Sequence, residues 1–364
     1  MEALDQIETQ VLTPDDVELA GTLLRVGDLV AIPTETVYGL GANGLAADAM
    51  DRIYTAKGRP SDNPLILHVC DQSMVHRLVK HISPLEQRLM DTFWPGPLTI
   101  TFEKSALVPE RATGGLSRVA LRCPNHEVCR EMIRIAGVPI AAPSANLSGR
   151  PSPTTAEAVL HDMKGRIHAI VDAGPCEIGV ESTVVQVEDD TVIILRPGGV
   201  TKEMLEMVVD HVAYDTALND PTEAPKAPGM KYRHYAPDMP VQVLVGQSLT
   251  VAEHMKDIID KMVHQEPISQ EDCKEKLRIG LLLSEETLEN LNAVLPNFTL
   301  SVDIIVYDEQ AEAIALANRL YDSLLQFNDM GVDTLLVEGC APVGLGVAVM
   351  NRLEKASGGH VQYI

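Results

Sequence analysis

The chain has few aromatic rings. They make up 4% of its 364 residues, and Trp94 is the one tryptophan. Its core must therefore rest on Val, Ile, Leu, Ala and Met, and there is little from which to build a base-stacking platform. No apolar run is long enough to cross a bilayer, which argues against a membrane protein. The opening MEALDQIETQ is acidic and has no signal-peptide pattern, so a cytoplasmic location is expected. None of the six cysteines (Cys70, Cys123, Cys129, Cys176, Cys273, Cys340) forms a C-x-x-C pair. Cys123 and Cys129 flank His126, but that spacing fits no usual zinc pattern. Reduced, mostly buried thiols are expected. Walker A, G-x-S-x-G and H-E-x-x-H sequences are also missing, so a nucleotide, if bound, is held another way. Positive charge is scarce: 29 Lys and Arg stand against 52 Asp and Glu, a net charge of −23. That argues against a general nucleic-acid binder, which would carry a basic footprint.

What positive charge there is lies in one place. Residues 1–240 carry −12 and residues 241–364 carry −11, yet residues 52–150 hold 13 bases and 8 acids, a net +5. A basic island in an acidic chain suggests a small anionic ligand held locally, although a solvated charged face would look the same. The length suggests two domains.

Short Val- and Ile-rich runs bounded by Gly and Pro predict strands at 29–33, 65–69, 98–102, 118–122, 139–143, 182–187 and 192–197. Helical patterns fall between several of them, at 15–26, 46–57, 125–135 and 154–160. The mixture predicts an α/β domain with a parallel or mixed sheet, with 1–215 as its bounds. Residues 216–240 contain NDPTEAPKAPGMKYRHYAPDMP, whose prolines cannot build a helix or central strand. This segment reads as a linker, but its Lys231–Tyr235 run is too rich in rings and cations for a plain spacer. Residues 241–364 alternate strands (241–245, 278–283, 302–307, 334–339) with helices (250–263, 310–327), which predicts a smaller Rossmann-like α/β domain. It has no G-x-G-x-x-G, so nucleotide binding there has little support.

Four islands in the first domain carry chemistry. PTETVYGLG (33–41) leaves a buried strand and turns on two glycines, with Thr34, Glu35, Thr36 and Tyr38 expected to stand exposed beyond the strand end. A structural loop with capping hydroxyls fits it equally well. In KGRPSDNPLILH (57–68), Lys57 and Arg59 end a helix, where cations can simply satisfy carbonyls. Gly58 and Pro60 stiffen the turn, however, and two fixed cations suit phosphate oxygens. Ser61 and Asn63 add neutral groups, and His68 on an apolar strand reads first as a satisfied core residue. AAPSANLSG (141–149), followed by Arg150, is a further strand end, with Ser144 and Asn146 in a tight turn. No oriented base makes Ser144 a nucleophile. GVESTV (179–184) and LRPGG (195–199) supply Glu181, Ser182, Thr183 and Arg196. Hydroxyls with a few charges suit a zwitterion, while Lys57, Arg59, Arg196 and Arg122 suit a polyphosphate.

Taken together, Lys57-x-Arg59 with Ser144-x-Asn146, and the blocks PTETVYGLG, GRPSDNPL, WPGPLT and APSANLSG, resemble the YrdC/Sua-type threonylcarbamoyl-adenylate synthases over residues 12–200. The linker and C-terminal domain resemble the long, two-domain form. The resemblance implies a twisted mixed sheet with a concave basic face. It also implies a reaction: L-threonine, bicarbonate or carbon dioxide, and ATP give threonylcarbamoyl-AMP and pyrophosphate. A downstream tRNA threonylcarbamoyl transferase then modifies the adenosine beside the anticodon. By position, Thr36, His68, Arg122, Ala142 and Ser182 would hold threonine. Lys57, Arg59, Asn63, Ser117, Ser144, Asn146, Arg150, Arg196 and Tyr235 would hold ATP, with Lys57 and Arg59 as the catalytic cations and the linker as a lid. Magnesium would come with the phosphates rather than on a dedicated protein cluster. Two other readings stand beside this one: an RNA-binding module, and an enzyme using carbamoyl phosphate.

Overall fold

The computed structural model describes residues 7–216, 235–265, 277–295 and 301–364. The chain divides into two compact units, Met1–Tyr232 and Arg233–Ile364. Most of the proline-rich stretch, including Lys231–His234, lies outside the described residues, and so does Cys273.

An eleven-stranded sheet organises the first unit. Its order across the sheet is Gln10–Leu12, Ala169–Val171, Val30–Ile32, Gly39–Asn43, Ile140–Ala141, Ile66–His68, Arg118–Arg122, Leu98–Glu103, Thr183–Glu188, Thr191–Arg196 and Val212–Tyr214. Parallel and antiparallel pairs alternate irregularly, so the sheet is mixed. Successive strand residues point to opposite faces, and here both faces are covered. Val30, Ile32, Ile140 and Ala142 pack in one cluster with Leu24, Met132 and Ile133 of helices Val17–Val26 and Glu127–Ala136. Ala31 and Ala141 face the other way, toward Met50 and Ile53 of Ala47–Lys57 and Leu89 and Met90 of Pro84–Phe93. Double burial explains why the strands read as unbroken apolar runs rather than as alternating ones.

The expected elements recur with small shifts at their ends, and further ones join them, among them strands Gln10–Leu12, Ala169–Val171, Val212–Tyr214 and Val361–Tyr363 and helices Glu285–Val294 and Leu345–Ser357. Gly39–Asn43, read as a turn on two glycines, is a strand pairing antiparallel with Val30–Ile32 and Ile140–Ala141. Helix Pro84–Phe93 was not expected, although S-P-L-E opens it with a complete capping box, Ser83 to the Glu86 backbone and Glu86 back to Ser83.

The second unit is a wholly parallel five-stranded sheet, ordered Ser301–Val306, Arg278–Leu283, Thr334–Glu338, Val241–Val245, Val361–Tyr363. A helix follows each of the first four strands in the chain: Ser248–Gln265, Glu285–Val294, Ala313–Met330 and Leu345–Ser357. Parallel strands with helical crossovers match the Rossmann-like expectation. The strand order does not, because the fourth strand of the unit inserts between its first and second, where a doubly wound dinucleotide fold places its first strand beside its second.

Candidate active site

Ile32 ends a strand, and the chain must reverse within Pro33–Tyr38 to begin Gly39–Asn43. Thr34 holds that reversal. Its hydroxyl donates to the Val37 carbonyl at 2.6 Å, lies 2.9 Å from the Thr36 hydroxyl, and accepts from the Thr36 and Val37 amides. Tyr38 Oη donates to the Gly174 carbonyl at 2.7 Å. Thr34, Glu35, Thr36 and Tyr38 are thus buried, not exposed as expected, because the turn joins two strands in the interior of the sheet.

Arg122 closes strand Arg118–Arg122, which runs parallel to Ile66–His68 with His68 directly beside Arg122. Arg122 Nη2 donates to Glu35 Oε2 at 2.6 Å, Nη1 to Thr36 Oγ1 at 2.8 Å, and Nε to the Gly96 carbonyl at 3.3 Å. Both charged side chains are buried, at 4% and 3% exposure. His68 is buried too, and its Nδ1 has no partner among the described residues, unlike the satisfied core histidine an apolar strand suggests. Burial, and secondly the charge of Arg122, push its pKa down to about 3, so the ring is neutral at neutral pH. Ala142 is held by its amide to the Ile66 carbonyl at 3.0 Å. Ser182 Oγ sits 2.8 Å from Thr99 Oγ1. Arg196, at the end of Thr191–Arg196, donates from Nη2 to the Ser182 carbonyl at 2.9 Å and to its Oγ at 3.2 Å. The chain can pass this close because residue 198 is glycine: a Cβ there would lie 2.3 Å from the backbone of Glu181, Ser182 and Thr183.

A second set of residues lies around Lys57, the last residue of helix Ala47–Lys57. Gly58 caps the helix in the left-handed region, φ +62°, which turns the chain sharply toward Arg59. Lys57 does not project outward as a free cation. Its ammonium is buried and donates to the Ser144 carbonyl at 2.5 Å, to the Asn146 carbonyl, and more weakly to Asn146 Oδ1 at 3.4 Å. Burial, then Arg59, pull its pKa well below the usual lysine value. Three acceptor oxygens nevertheless call for three N–H donors, which only the ammonium form has. The Lys57 carbonyl in turn accepts from the Ser148 amide, so the helix end and the 144–150 loop are stitched in both directions. Ser144 Oγ donates to Asn146 Oδ1, and Asn146 Nδ2 donates to the Leu147 and Arg150 carbonyls at 2.8 Å each. Arg59 Nη2 donates to the Pro64 carbonyl at 3.3 Å. Asn63 is buried with neither amide atom partnered among the described residues. Ser117 is exposed and directly precedes strand Arg118–Arg122, at the opposite end of that strand from Arg122.

Asp162 was given no role in the sequence, and no motif marks it out. From helix Ala156–Met163 its carboxylate accepts from the Leu147 amide at 3.0 Å and pairs with Arg150 Nη1 at 3.1 Å. Glu35 lies within the 33–41 island, where the sequence alone points to no role for it. Tyr235 lies in the second unit, buried, with φ +66°, stacked on Tyr321 at 5.4 Å and with the Arg352 guanidinium 5.8 Å from its ring centre. Among the described residues no three His, Cys, Asp or Glu side chains gather to hold a metal ion. Cys70, Cys123, Cys129 and Cys340 are buried free thiols and Cys176 is half-buried, with every thiol pKa raised by burial.

Buried cations, hydroxyls and unsatisfied amide groups around the strand ends of a mixed sheet define an α/β protein with a charged, polar interior site. Comparison with known proteins narrows that class. Residues 22–198 match the family model of Sua5, YciO and YrdC proteins, described as "Telomere recombination", and residues 200–358 match "Threonylcarbamoyl-AMP synthase, C-terminal domain". The threonylcarbamoyl-AMP synthase of Bacillus subtilis is 44% identical over 97% of this chain and 96% of its own length. That of Pyrococcus abyssi is 42% identical over 94% of each. The crystal structure of P. abyssi Sua5 complexed with L-threonine superposes with a TM-score of 0.87 at 38% identity, covering 98% of this chain and 100% of that one. The chain belongs to the threonylcarbamoyl-AMP synthase family, in its two-domain form.

Proposed function

We propose that the protein makes threonylcarbamoyl-AMP and pyrophosphate from L-threonine, bicarbonate or carbon dioxide, and ATP, to supply the threonylcarbamoyl modification of tRNA beside the anticodon. One observation carries the proposal. The contact between Arg196 and Ser182 joins the residues expected at ATP to those expected at threonine, so two substrates bound there would meet. The relatives' names and the threonine in the P. abyssi complex point the same way.

In this reading Arg122 meets the amino acid's carboxylate. Thr36, neutral His68, Ala142 and Ser182 shape the rest of that pocket. Lys57 holds the 144–146 turn in place. Arg59, Asn63, Ser117, Ser144, Asn146, Arg150 and Arg196 face the nucleotide. The unprotonated threonine nitrogen adds to the carbon of carbon dioxide and releases a proton, or, with bicarbonate, gives the same carbamate with loss of water. A carbamate oxygen then attacks the α-phosphorus, and the pyrophosphate oxygen leaves. Both reactants are anions, so fixed cations and prepaid orientation lower the barrier. Magnesium, when bound, would neutralise phosphate charge. The donors present, neutral hydroxyls and amides, fit an ion carried mainly by phosphate oxygens and water. A cytoplasmic setting with a tRNA-modifying transferase downstream completes the proposal, and no helix among the described residues is long and apolar enough to cross a membrane.

The test is pyrophosphate release from ATP. It should require both L-threonine and bicarbonate. Release without threonine would favour carbamoyl-phosphate chemistry instead, and no release at all, with steeply salt-dependent tRNA binding, would favour an RNA-binding module.

A further inference from the structure

Glu35 has a carboxylate buried against the arginine expected to receive a substrate. Most buried carboxylates are tolerated because every oxygen finds a donor. Here Oε2 takes Arg122 Nη2 at 2.6 Å, while Oε1 has no partner among the described residues. The backbone of the same residue is tied down independently, its carbonyl accepting from the Ile178 amide at 2.8 Å. The carboxylate is therefore delivered to Arg122 by a braced loop. Arg122 is gripped from three sides, by Glu35, by Thr36 and by the Gly96 carbonyl, which come from two separate segments of the chain. Three of its five N–H groups are so used, and two remain for a ligand.

The charges facing this point also matter. Arg122 and Glu35 cancel, and His68 beside Arg122 is neutral. A pocket built on a cancelled pair suits a ligand that is itself neutral overall. A second carboxylate on the ligand would meet Glu35 in a poorly screened interior, where repulsion is far stronger than in water.

We propose that Glu35 is a positioning and specificity-determining residue. It sets the direction of the Arg122 guanidinium and cancels its charge, so the pocket takes a singly carboxylated, zwitterionic amino acid and rejects acidic ones. The proposal rests on the reading that Arg122 receives the substrate carboxylate.

The experiment compares L-threonine with L-aspartate, close in size but carrying a second carboxylate. Their Kd values are measured by calorimetry on the full chain, with KM for threonine and for ATP from pyrophosphate release. Glu35→Gln keeps size and hydrogen bonding but removes the charge. It should weaken threonine on the order of tenfold or more, leave the ATP KM within about twofold, and narrow threonine-over-aspartate discrimination at least about tenfold. If both amino acids change by the same factor, or neither changes, the proposal is overturned. Glu35→Asp covers the case in which the glutamine variant does not fold. It keeps the charge, so it should keep the discrimination while losing part of the threonine affinity, and loss of discrimination there overturns the proposal as well. An Arg122→Gln control separates the two layers. Unchanged threonine binding in that variant would sink the assignment of Arg122 itself, whatever Glu35 does.

Discussion

Lys57→Met is the most informative single change. Methionine matches the aliphatic stem of lysine, so the cavity contribution is small. What is lost is the ammonium that ties helix Ala47–Lys57 to the Ser144 and Asn146 carbonyls. Each buried carbonyl left without a donor costs about 1–3 kcal/mol, so the two together cost roughly 2–6. Methionine also escapes the desolvation of a buried cation, which moves the net loss to the lower end, about 2–3 kcal/mol. For a unit of this size that lowers the melting temperature by roughly 4–12 °C. Trp94, the one tryptophan, lies buried in the first unit, so its fluorescence follows that unit alone. Turnover should fall ~10²-fold or more, the scale for misplacing groups that position the reactants. A variant that melts at the wild-type temperature would show that the ammonium does not hold the 144–146 turn. Normal turnover would remove Lys57 from the chemistry.

Other outcomes follow from the same geometry. His68 has a folded pKa depressed to about 3 against an ordinary value near 6.5. The unfolded chain therefore takes up the proton first as pH falls, and stability is lost from about pH 6.5 downward at up to about 1.4 kcal/mol per pH unit. His68→Asn should flatten that loss by about 2 kcal/mol between pH 6.5 and 5, read from Trp94 denaturation curves, and parallel curves for the two proteins would refute it. Asp162→Asn removes the charge facing Arg150 while keeping an acceptor for the Leu147 amide. The ATP KM should rise roughly tenfold with the threonine KM unmoved, and a matching change in both would reduce Asp162 to a stability role. Ser83→Ala deletes the N-cap of Pro84–Phe93. It should cost about 1 kcal/mol with turnover intact, and an unchanged stability would refute the capping role.

Local signals made much of the fold legible. Strand runs such as RVALR, 118–122, and VQVLV, 241–245, stand as the pattern predicts, because an apolar run between turn residues is a local property. The S-P-L-E start of Pro84–Phe93 is equally local, a capping box complete within four consecutive residues. The reversal at Thr34–Tyr38 was harder. Its glycines and hydroxyls read as an exposed loop, whereas pairing with Val30–Ile32 on one side and Ile140–Ala141 on the other makes Gly39–Asn43 a buried strand.

By itself the sequence determined the α/β class, the sites of most strands and helices, and the blocks that place the chain in its family. All of these depend on spacing along the chain and on turn chemistry. The tertiary structure decided the rest: that the Lys57 ammonium turns inward onto Asn146, 89 residues away; that Glu35 reaches Arg122 across 87 residues; that Asp162 braces Arg150; and that the second sheet places its fourth strand between its first and second. A buried charge must find its partner wherever the folded backbone brings one, and separation along the chain carries no record of that meeting.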